Sequence, residues 1–344
     1  MNPQFDDFYN DVKDKELSYC DILTKNILST EHLRSLQIPP RKKFLGPIEE
    51  GTIGEIFGPR GVGKTQLRDA VALSMTRGVN LGPWLSESPA GVLIFDGEMS
   101  LFDLQGRQSL ESNVGPACRP LNYISSQYLF ETERKSLILT DDRWRDAALE
   151  LIEKNPQYAV IFFDNLSSFM PGSKENDSES WGAINQFFLN IRWMGRAVCF
   201  IHHAGKSGDQ RGTSAREDQL DWVVRLDNAS SGPESGCRCQ VTLTKNRSLF
   251  GPEAEPFIFQ LDGCPPRWTI TLKRQSQREI IIALLATGSS QKEVADLTGY
   301  DKGLVSRTKK KAISDGELEP SGSCFTLKGQ SKYGGISLDE FLKS

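Results

Sequence analysis

The sequence lacks the features that mark membrane, secreted and metal-built proteins. No apolar run approaches the roughly 20 residues needed to span a bilayer. Residues 1–17 are acidic and polar, which does not suit a signal peptide. The seven cysteines are scattered, and their one close pair, Cys237 and Cys239, matches no common zinc spacing. These absences predict reduced thiols, no membrane partner and a cytoplasmic protein.

The chain also has little net charge and few histidines. A formal charge of −4 over 344 residues argues against a surface that coats DNA everywhere, although it leaves room for a local basic patch. Two of the three histidines, His202 and His203, are adjacent, but no third nitrogen or thiolate lies at zinc-ligand spacing. The composition, 38% hydrophobic and 25% charged, predicts a globular protein with one large domain and a small one.

What the sequence does contain is a complete phosphate loop of the pattern G-x-x-x-x-G-K-[ST]. A short predicted strand, residues 52–57, precedes the loop, and a predicted helix, residues 66–75, follows it. Such a unit directs backbone N–H groups and a helix N-terminus at a polyphosphate. Lys64 would reach the β- and γ-phosphates of ATP, and the Thr65 hydroxyl would hold Mg²⁺. The predicted nucleotide-binding residues are Gly58, Pro59, Arg60, Gly61, Val62, Gly63, Lys64, Thr65 and Gln66.

Two acidic residues follow apolar runs that are typical of buried strands. Residues 91–95 lead to Glu98, and residues 158–163 lead to Asp164. Open α/β sheets bind ligands at the carboxyl ends of their strands. We therefore predict that Glu98 orients or deprotonates the attacking water and that Asp164 binds Mg²⁺ through water. The alternatives are a cap on the predicted helix 101–110 for Glu98 and a structural strand end for Asp164.

A third predicted strand, residues 197–201, ends in His202 and His203. One of the two could hydrogen-bond the γ-phosphate and report its loss, and the sequence does not say which. The loop that follows is basic and polar, and in a ring ATPase such a loop faces the central channel. Lys206 and Arg211 are therefore candidate DNA contacts. A solvated surface loop is the alternative.

Lys245 and Arg247 follow a predicted strand at residues 238–244. Together with residues 221–226, this strand is predicted to lie at one edge of the sheet. A Lys-x-Arg pair on the tip of an edge strand, far along the chain from the phosphate loop, suits a finger that reaches a neighbouring subunit's γ-phosphate. A surface ion pair is the alternative.

The C-terminal part has the pattern of a helix-turn-helix unit. Four prolines between residues 251 and 274 suggest a domain boundary near residues 265–275. Glycines near residues 316–322 are available for a β-wing. The helices predicted beyond the boundary are 275–286, 290–297 and 301–314.

The same region is basic in an otherwise acidic protein. Residues 267–311 hold ten basic and four acidic side chains. Lys302, Arg307 and Lys309 on the last predicted helix are candidate DNA contacts. A winged helix used for protein contact is the alternative.

At the other end of the chain, the segment Cys20–Leu36 is weakly amphipathic. It could form a helix that packs on a neighbouring subunit or, equally, on its own core. Ile38-Pro39-Pro40 would stop such a helix.

The order of these motifs resembles one family, the RepA-like AAA-25 group of RecA-fold ATPases found in plasmids, phages and other mobile elements. The resemblance covers about residues 45–262. Besides the phosphate loop, it rests on Gly172-Ser173-Lys174-Glu175-Asn176 and on Gly205-Lys206 with Gln210-Arg211-Gly212-Thr213-Ser214. The segments at the two ends are not required by the ATPase pattern, and a RecA-like core alone does not fix the biological role.

The resemblance implies a core that assembles as a ring, often a hexamer, hydrolyses ATP between subunits and contacts single-stranded DNA. By motif position, Glu98 matches the catalytic glutamate and Asp164 matches the Walker B acid. His203, or His202, matches the sensor, and Arg247 matches the arginine finger.

We therefore predict an α/β protein with a RecA-like P-loop NTPase core on a mainly parallel twisted sheet, and a small C-terminal helix-turn-helix or winged-helix domain. The predicted function is an oligomeric, Mg²⁺-dependent ATPase that acts on DNA as a replicative helicase of a plasmid or other mobile element. The main alternative is an ATP-regulated DNA-binding regulator or helicase loader, and a kinase is the third. The predicted domains are an N-terminal segment (1–44), the ATPase domain (45–265), a winged-helix-like domain (270–330) and a tail (331–344).

Overall fold

The computed structural model describes residues 18–107, 116–172, 178–203, 219–229, 237–262, 267–272 and 277–333. The chain divides into two compact units, Met1–Pro40 and Arg41–Ser344. Lys206 and Arg211, residues 173–177 of the predicted polar loop and residues 334–344 of the predicted tail lie outside the described residues.

The first unit contains two short helices, α1 (Tyr19–Lys25) and α2 (Thr30–Ser35). Each starts at a serine, Ser18 or Ser29, whose hydroxyl oxygen accepts a backbone N–H three residues later. Because Ser29 begins a new helix, the predicted continuous segment 20–36 is interrupted. The exposed large apolar side chains in the described part of this unit are Tyr19, Ile22, Leu23, Ile27, Leu28, Leu33, Leu36 and Ile38.

Among the described residues, the second unit is built on a nine-stranded sheet, with a separate two-stranded sheet formed by Lys43–Leu45 and Ile48–Glu49. The strands are β1 (Lys43–Leu45), β2 (Ile48–Glu49), β3 (Ile53–Gly58), β4 (Gly91–Asp96), β5 (Leu121–Ser125), β6 (Tyr158–Asp164), β7 (Ala197–His203), β8 (Trp222–Asn228), β9 (Cys237–Asn246), β10 (Phe257–Asp262) and β11 (Arg267–Leu272). The order in the large sheet is β11-β10-β9-β8-β3-β7-β6-β4-β5.

Helices cover both faces of this sheet, and further helices follow it. They are α3 (Lys64–Arg77), α4 (Leu101–Arg107), α5 (Ser126–Glu133), α6 (Asp142–Lys154), α7 (Ser178–Trp193), α8 (Gln277–Ala286), α9 (Gln291–Thr298), α10 (Lys302–Ser314) and α11 (Leu327–Tyr333). Short 3₁₀ helices span Leu166–Phe169 and Gly251–Ala254. None of the helices in the described part of the chain is both long and apolar enough to cross a membrane.

Six neighbouring strands of this sheet, in the order β5, β4, β6, β7, β3 and β8, run parallel to one another. They are largely apolar, as expected for parallel strands buried on both faces. On one face, Leu67 and Val71 of α3 join the core, and on the other face Ile152 of α6 and Ile184 of α7 do so. The predicted RecA-like α/β fold with a mainly parallel sheet is therefore confirmed.

Aromatic rings fix the carboxyl ends of the central strands against each other. Phe163 of β6 stacks on Phe95 of β4 with ring centroids 4.9 Å apart. It also lies 5.4 Å from Phe188 of α7, which in turn stacks on Phe200 of β7. Because such pairs contribute beyond their buried area, this cluster holds the ends of β4, β6 and β7 in register.

The sheet continues beyond β8 through three antiparallel strands, β9, β10 and β11. The expectation that residues 238–244 lie at a sheet edge is wrong, because β10 and β11 pair onto their far side. Pro252 and Pro256 precede β10, whereas Pro265 and Pro266 lie outside the described residues. The ATPase sheet therefore extends to Leu272, past the predicted end of this domain at residue 265.

The C-terminal helices have an apolar core of their own, which includes Ile281, Leu285, Val294 and Val305. Gly299 ends α9 in the left-handed conformation, with φ 70°, and the Asp301 side chain caps α10. Three helices therefore lie close to the predicted ranges, and their identification as a helix-turn-helix unit stays a prediction. After α10, residues 318 and 325 form an isolated antiparallel bridge, and the winged-helix identity of this part stays a prediction.

Candidate nucleotide-binding site

The phosphate loop connects the end of β3 to the start of α3. Gly63 caps α3 with φ 104°, and a Cβ atom there would lie 2.0 Å from the Cys237 Sγ. Both the backbone angle and the space therefore require glycine. No side chain caps this helix start, so its first N–H groups remain available to phosphate oxygens.

Lys64 points into the loop. Its Nζ donates hydrogen bonds to the carbonyl oxygens of Gly58 (2.9 Å) and Pro59 (2.8 Å). Burial lowers the pKa of the Lys64 ammonium, and the nearby carboxylates of Asp164 and Glu98 partly offset that effect. Phosphate oxygens are stronger acceptors than neutral carbonyls for such a cation. The Lys64 ammonium could therefore exchange its carbonyl partners for phosphate oxygens.

The functional side chains meet at one end of the sheet because the strands that carry them are parallel. The phosphate loop follows β3, Glu98 follows β4, Asp164 ends β6 and His203 ends β7. Together they line a cleft of about 550 Å³. The other residues that line it are Gly61, Gly63, Lys64, Thr65, Gln66, Met99, Phe102, Asp103, Gly106, Arg107 and Ile201.

A fully buried arginine ties this end of the sheet to α3. The Arg68 Nη1 donates to Asp96 Oδ2 and to Asp164 Oδ2, both at 2.7 Å. Its Nη2 and Nε donate to Asp69 Oδ1 at 2.7 and 3.0 Å. Burial opposes the charge of Arg68, but the three carboxylates outweigh it and raise the pKa of the guanidinium.

The cluster around Arg68 carries an excess of negative charge. Arg107 adds a second cation, 3.0 Å from Asp69 Oδ2, so two guanidinium groups face three carboxylates. Burial raises the pKa of Asp164 to about 6, although the Arg68 charge opposes the rise. A further cation next to Asp164 would relieve this imbalance.

The donor set fits a Mg²⁺ ion that is shared with a nucleotide. Thr65 and Asp164 both line the cleft, and hydroxyl and carboxylate oxygens are ligands that Mg²⁺ prefers. Within the described residues, no group of three or more His, Cys, Asp or Glu side chains could hold a metal ion alone. Thr65 and Asp164 would hold the ion against the phosphates, where it would neutralise developing charge.

Glu98 is held at the cleft by its surroundings and not by a helix cap. The capping role belongs to Ser100, whose Oγ accepts the Asp103 N–H at 3.0 Å. Asp96 Oδ1 accepts the backbone N–H of Glu98 at 3.2 Å and so shapes the turn that carries it. The Asn165 Nδ2 donates to Glu98 Oε2 at 2.6 Å. Glu98 is thus placed where it could act on a water molecule.

Strand alternation separates the two histidines. His202 is buried on the same face as Val198 and Phe200, whereas His203 follows Ile201 on the α3 face and lines the cleft. The His203 Nε2 lies 3.0 Å from Asn165 Nδ2 and 3.9 Å from Glu98 Oε2. Of the two candidates for the sensor, the geometry favours His203.

Lys245 and Arg247 lie at the opposite end of the sheet. Asn246, between them, is level with Trp222 of β8, and Trp222 is level with Gly54 near the start of β3. The phosphate loop begins beyond the other end of β3, roughly 15–20 Å away along the strand. The Arg247 Nη1 is 3.3 Å from Asp221 Oδ1.

The candidate DNA contacts that the structure describes lie on α10. Lys302 and Arg307 are exposed and Lys309 is half-buried, while Val305, Thr308 and Ala312 face the C-terminal core. One side of α10 therefore remains cationic and accessible.

The family model described as an AAA domain, AAA-25, matches residues 22–209. The chain belongs to this family. No curated protein matches the AAA-25 chain at a significant level. With the phosphate loop and the residues around it in place, the protein is a nucleotide-binding P-loop ATPase.

Among solved structures, this AAA-25 protein is similar to the flagellar accessory protein FlaH from Methanocaldococcus jannaschii. The two chains are 13% identical, with a TM-score of 0.43, over 66% of this chain and 91% of that chain.

Sequence reasoning missed three residues of the site, Arg68, Asp96 and Asn165. Asp96 and Asn165 sit beside the predicted Glu98 and Asp164, so their positions at strand ends were a usable signal. Arg68 lies on the same helical face as Val71, Ala72 and Met75. A cation on an otherwise apolar helix face indicates a buried partner.

Substitutions in the cleft should separate nucleotide binding from hydrolysis. Lys64→Ala should abolish ATP hydrolysis and weaken nucleotide binding, because it removes the cation that contacts the β- and γ-phosphates. Glu98→Gln should bind ATP and lose turnover, because only water activation is removed. Binding of a fluorescent ATP analogue and steady-state phosphate release would measure the two effects. Near-native turnover by Glu98→Gln would rule out Glu98 as the base.

Removing Arg68 should destabilise the folded protein strongly. Arg68→Met leaves three carboxylates buried without their main cation, which typically costs about 3–5 kcal/mol. The control is Arg143→Met, at an exposed ion pair with Asp141, where almost no change in stability is expected. Urea unfolding of both variants would measure the difference. Equal stability of the two variants would contradict a structural role for the buried cluster.

Proposed function

We propose that this ATPase assembles into a ring, with a hexamer favoured by the family resemblance, and acts on DNA as a replicative helicase of a plasmid or other mobile element. In this proposal Glu98 activates water, Asp164 and Thr65 hold Mg²⁺, and His203 binds the γ-phosphate. Arg247, with Lys245 beside it, serves the nucleotide site of the neighbouring subunit.

The observation that supports assembly is the position of Arg247. The cleft lies at the carboxyl end of the parallel strands, and Arg247 lies at their amino end. A side chain cannot bridge that distance within one subunit. In a head-to-tail ring, however, the two ends of the sheet can belong to opposite subunit faces, so one subunit's Arg247 can approach its neighbour's cleft.

The ion pair between Arg247 and Asp221 offers a purely structural explanation for the same residue. Asp221 Oδ2 accepts the Ile53 N–H at 2.9 Å and so anchors the start of β3. Arg192 also approaches Asp221, at 3.4 Å. Because the Arg247 side chain is 53% exposed, its ion pair is worth at most about 1 kcal/mol, and Arg192 would remain if Arg247 were removed.

A mixing experiment tests whether Arg247 acts between subunits. Arg247→Ala should bind ATP without turning it over, because an arginine finger contributes on the order of 10³ or more to hydrolysis. The Lys64→Ala protein keeps Arg247 but lacks the lysine of its phosphate loop. A one-to-one mixture of the two inactive proteins should regain partial ATPase activity through composite sites.

The control for this experiment is Arg192→Ala, which removes the other cation at Asp221. If Arg247 acts only through Asp221, the two arginine variants should have similar defects. If Arg247 is a finger, Arg192→Ala should retain turnover. Absence of recovery in a mixture shown to co-assemble would count against a shared site.

The exposed cations of α10 support binding to duplex DNA. The double variant Lys302→Ala with Arg307→Ala should bind duplex DNA more weakly. The slope of log affinity against log salt should fall by about 0.9 for each phosphate group that the variant no longer neutralises. Arg143→Ala, an exposed arginine of α6, is the control. An unchanged affinity and slope would favour a protein-docking role for this helix.

Unwinding separates the helicase from its main alternative, a loader or regulator that hydrolyses ATP without separating strands. For a helicase, single-stranded DNA should stimulate hydrolysis more than duplex DNA does, and a forked duplex should be opened in the presence of ATP. Stimulation without strand separation would leave the loader or regulator as the function.

A further inference from the structure

Asn165 lies between the two residues that the proposed function assigns to water activation and phosphate sensing. It follows Asp164 directly and is 4% exposed. Its Nδ2 is 2.6 Å from Glu98 Oε2 and 3.0 Å from His203 Nε2. One amide group therefore contacts side chains that come from the ends of two other strands.

The orientation of this amide is fixed by Ser168. The Asn165 Oδ1 accepts the backbone N–H of Ser168 at 3.0 Å and its hydroxyl at 3.1 Å. Because a backbone N–H can only donate, the oxygen of the amide must face Ser168. The two N–H groups of Nδ2 must then face Glu98 and His203.

This orientation also fixes the role of the histidine nitrogen. Both hydrogens on Asn165 Nδ2 are donors, so His203 Nε2 must accept. The ring is then neutral, with its proton on Nδ1. A γ-phosphate oxygen is an acceptor as well, and it requires a donor. The Nε2 atom cannot bind the phosphate while it accepts from Asn165.

We propose that Asn165 is a positioning residue that couples γ-phosphate binding at His203 to the hydrogen bonding of Glu98. With His203 Nε2 as the acceptor, Asn165 holds the Glu98 carboxylate and the His203 ring together. When the ring proton of His203 moves from Nδ1 to Nε2, the Nε2 atom can donate to the phosphate. Its hydrogen bond with Asn165 then breaks, and the Asn165 amide loses that contact. The restraint on Glu98 therefore changes only when ATP, and not ADP, is bound. This inference rests on the proposed function.

The substitution Asn165→Ser tests the coupling without removing the helix cap. Serine keeps an N-cap oxygen for the turn that begins at residue 166, but it has no N–H groups that reach Glu98 or His203. Loss of the competing bond should strengthen binding of a non-hydrolysable ATP analogue relative to ADP by roughly 2- to 10-fold. Fluorescent nucleotides and the full-length protein would be used, with Mg²⁺ present.

A double-mutant cycle shows whether the effect passes through His203. The gain in ATP-over-ADP preference from Asn165→Ser should disappear in a His203→Ala background. Ser168→Ala weakens the cap but leaves both N–H groups of Asn165 in place, so it should not change the preference. An equal gain with and without His203, or an equal gain in Ser168→Ala, would overturn the inference.

Nitrogen-15 NMR of the histidines provides a readout that does not depend on turnover. The chain has only three histidines, and His203→Ala assigns the signals of His203. In the nucleotide-free protein, Nε2 should be unprotonated and Nδ1 protonated. Addition of the ATP analogue, but not of ADP, should move the proton to Nε2. A protonated Nε2 in the free protein would overturn the inference.

The proposed function and the coupling can fail separately. If the native protein does not hydrolyse ATP, or if Glu98→Gln does so normally, the proposed function fails. If both behave as expected but the ATP-over-ADP preference of Asn165→Ser equals that of the native protein, only the coupling fails.

Discussion

The site depends on one buried guanidinium group. Arg68 joins the helix that follows the phosphate loop to the ends of the strands that carry Asp96 and Asp164. Without it, the first turns of α3 and the acidic strand ends would repel or separate, because three carboxylates lie together in a low-dielectric interior. Two further parts of the cleft lie next to the carboxylates that Arg68 holds. Asp96 shapes the turn that carries Glu98, and Asn165, beside Asp164, reaches both Glu98 and His203.

This arrangement fixes the polar groups of the cleft and includes hydrogen bonds that a nucleotide could replace. Arg68 and the aromatic rings behind it fix the strand ends, and with them Asp164, one of the oxygen ligands proposed for Mg²⁺. The charge of the cluster remains unbalanced, with a buried Asp164 whose pKa is raised to about 6. A Mg²⁺ ion would improve that balance. The hydrogen bonds that can change are those from Lys64 to the loop carbonyls and those of the amide shared by Glu98 and His203.

Most of the core could be predicted from the sequence, because its signals are local. The phosphate loop needs only a strand, a fixed spacing and a helix, and the acidic strand ends follow from apolar runs that stop at a charge. The expected edge strand at residues 238–244 was wrong because nothing local shows that β10 and β11 pair beyond it. The roles of Arg68 and Asn165 could not be predicted for a related reason, because their partners are distant in sequence. Two partners of Arg68 are 28 and 96 residues away, and those of Asn165 are 38 and 67 residues away. The distance between Arg247 and the cleft of the same subunit depends on the direction of β9 in the sheet. The periodicity of apolar residues predicts a strand but not its direction.

In the proposed ring, each chain carries the two halves of different nucleotide sites. The decisive experiment is electron cryo-microscopy of the purified protein with Mg²⁺, a non-hydrolysable ATP analogue and single-stranded DNA. We expect a closed ring in which Arg247 of one subunit lies within hydrogen-bond distance of the γ-phosphate in the next subunit, with DNA in the central channel. A monomer with a complete, closed site, or an assembly in which Arg247 stays on Asp221 and faces solvent, would contradict the shared site.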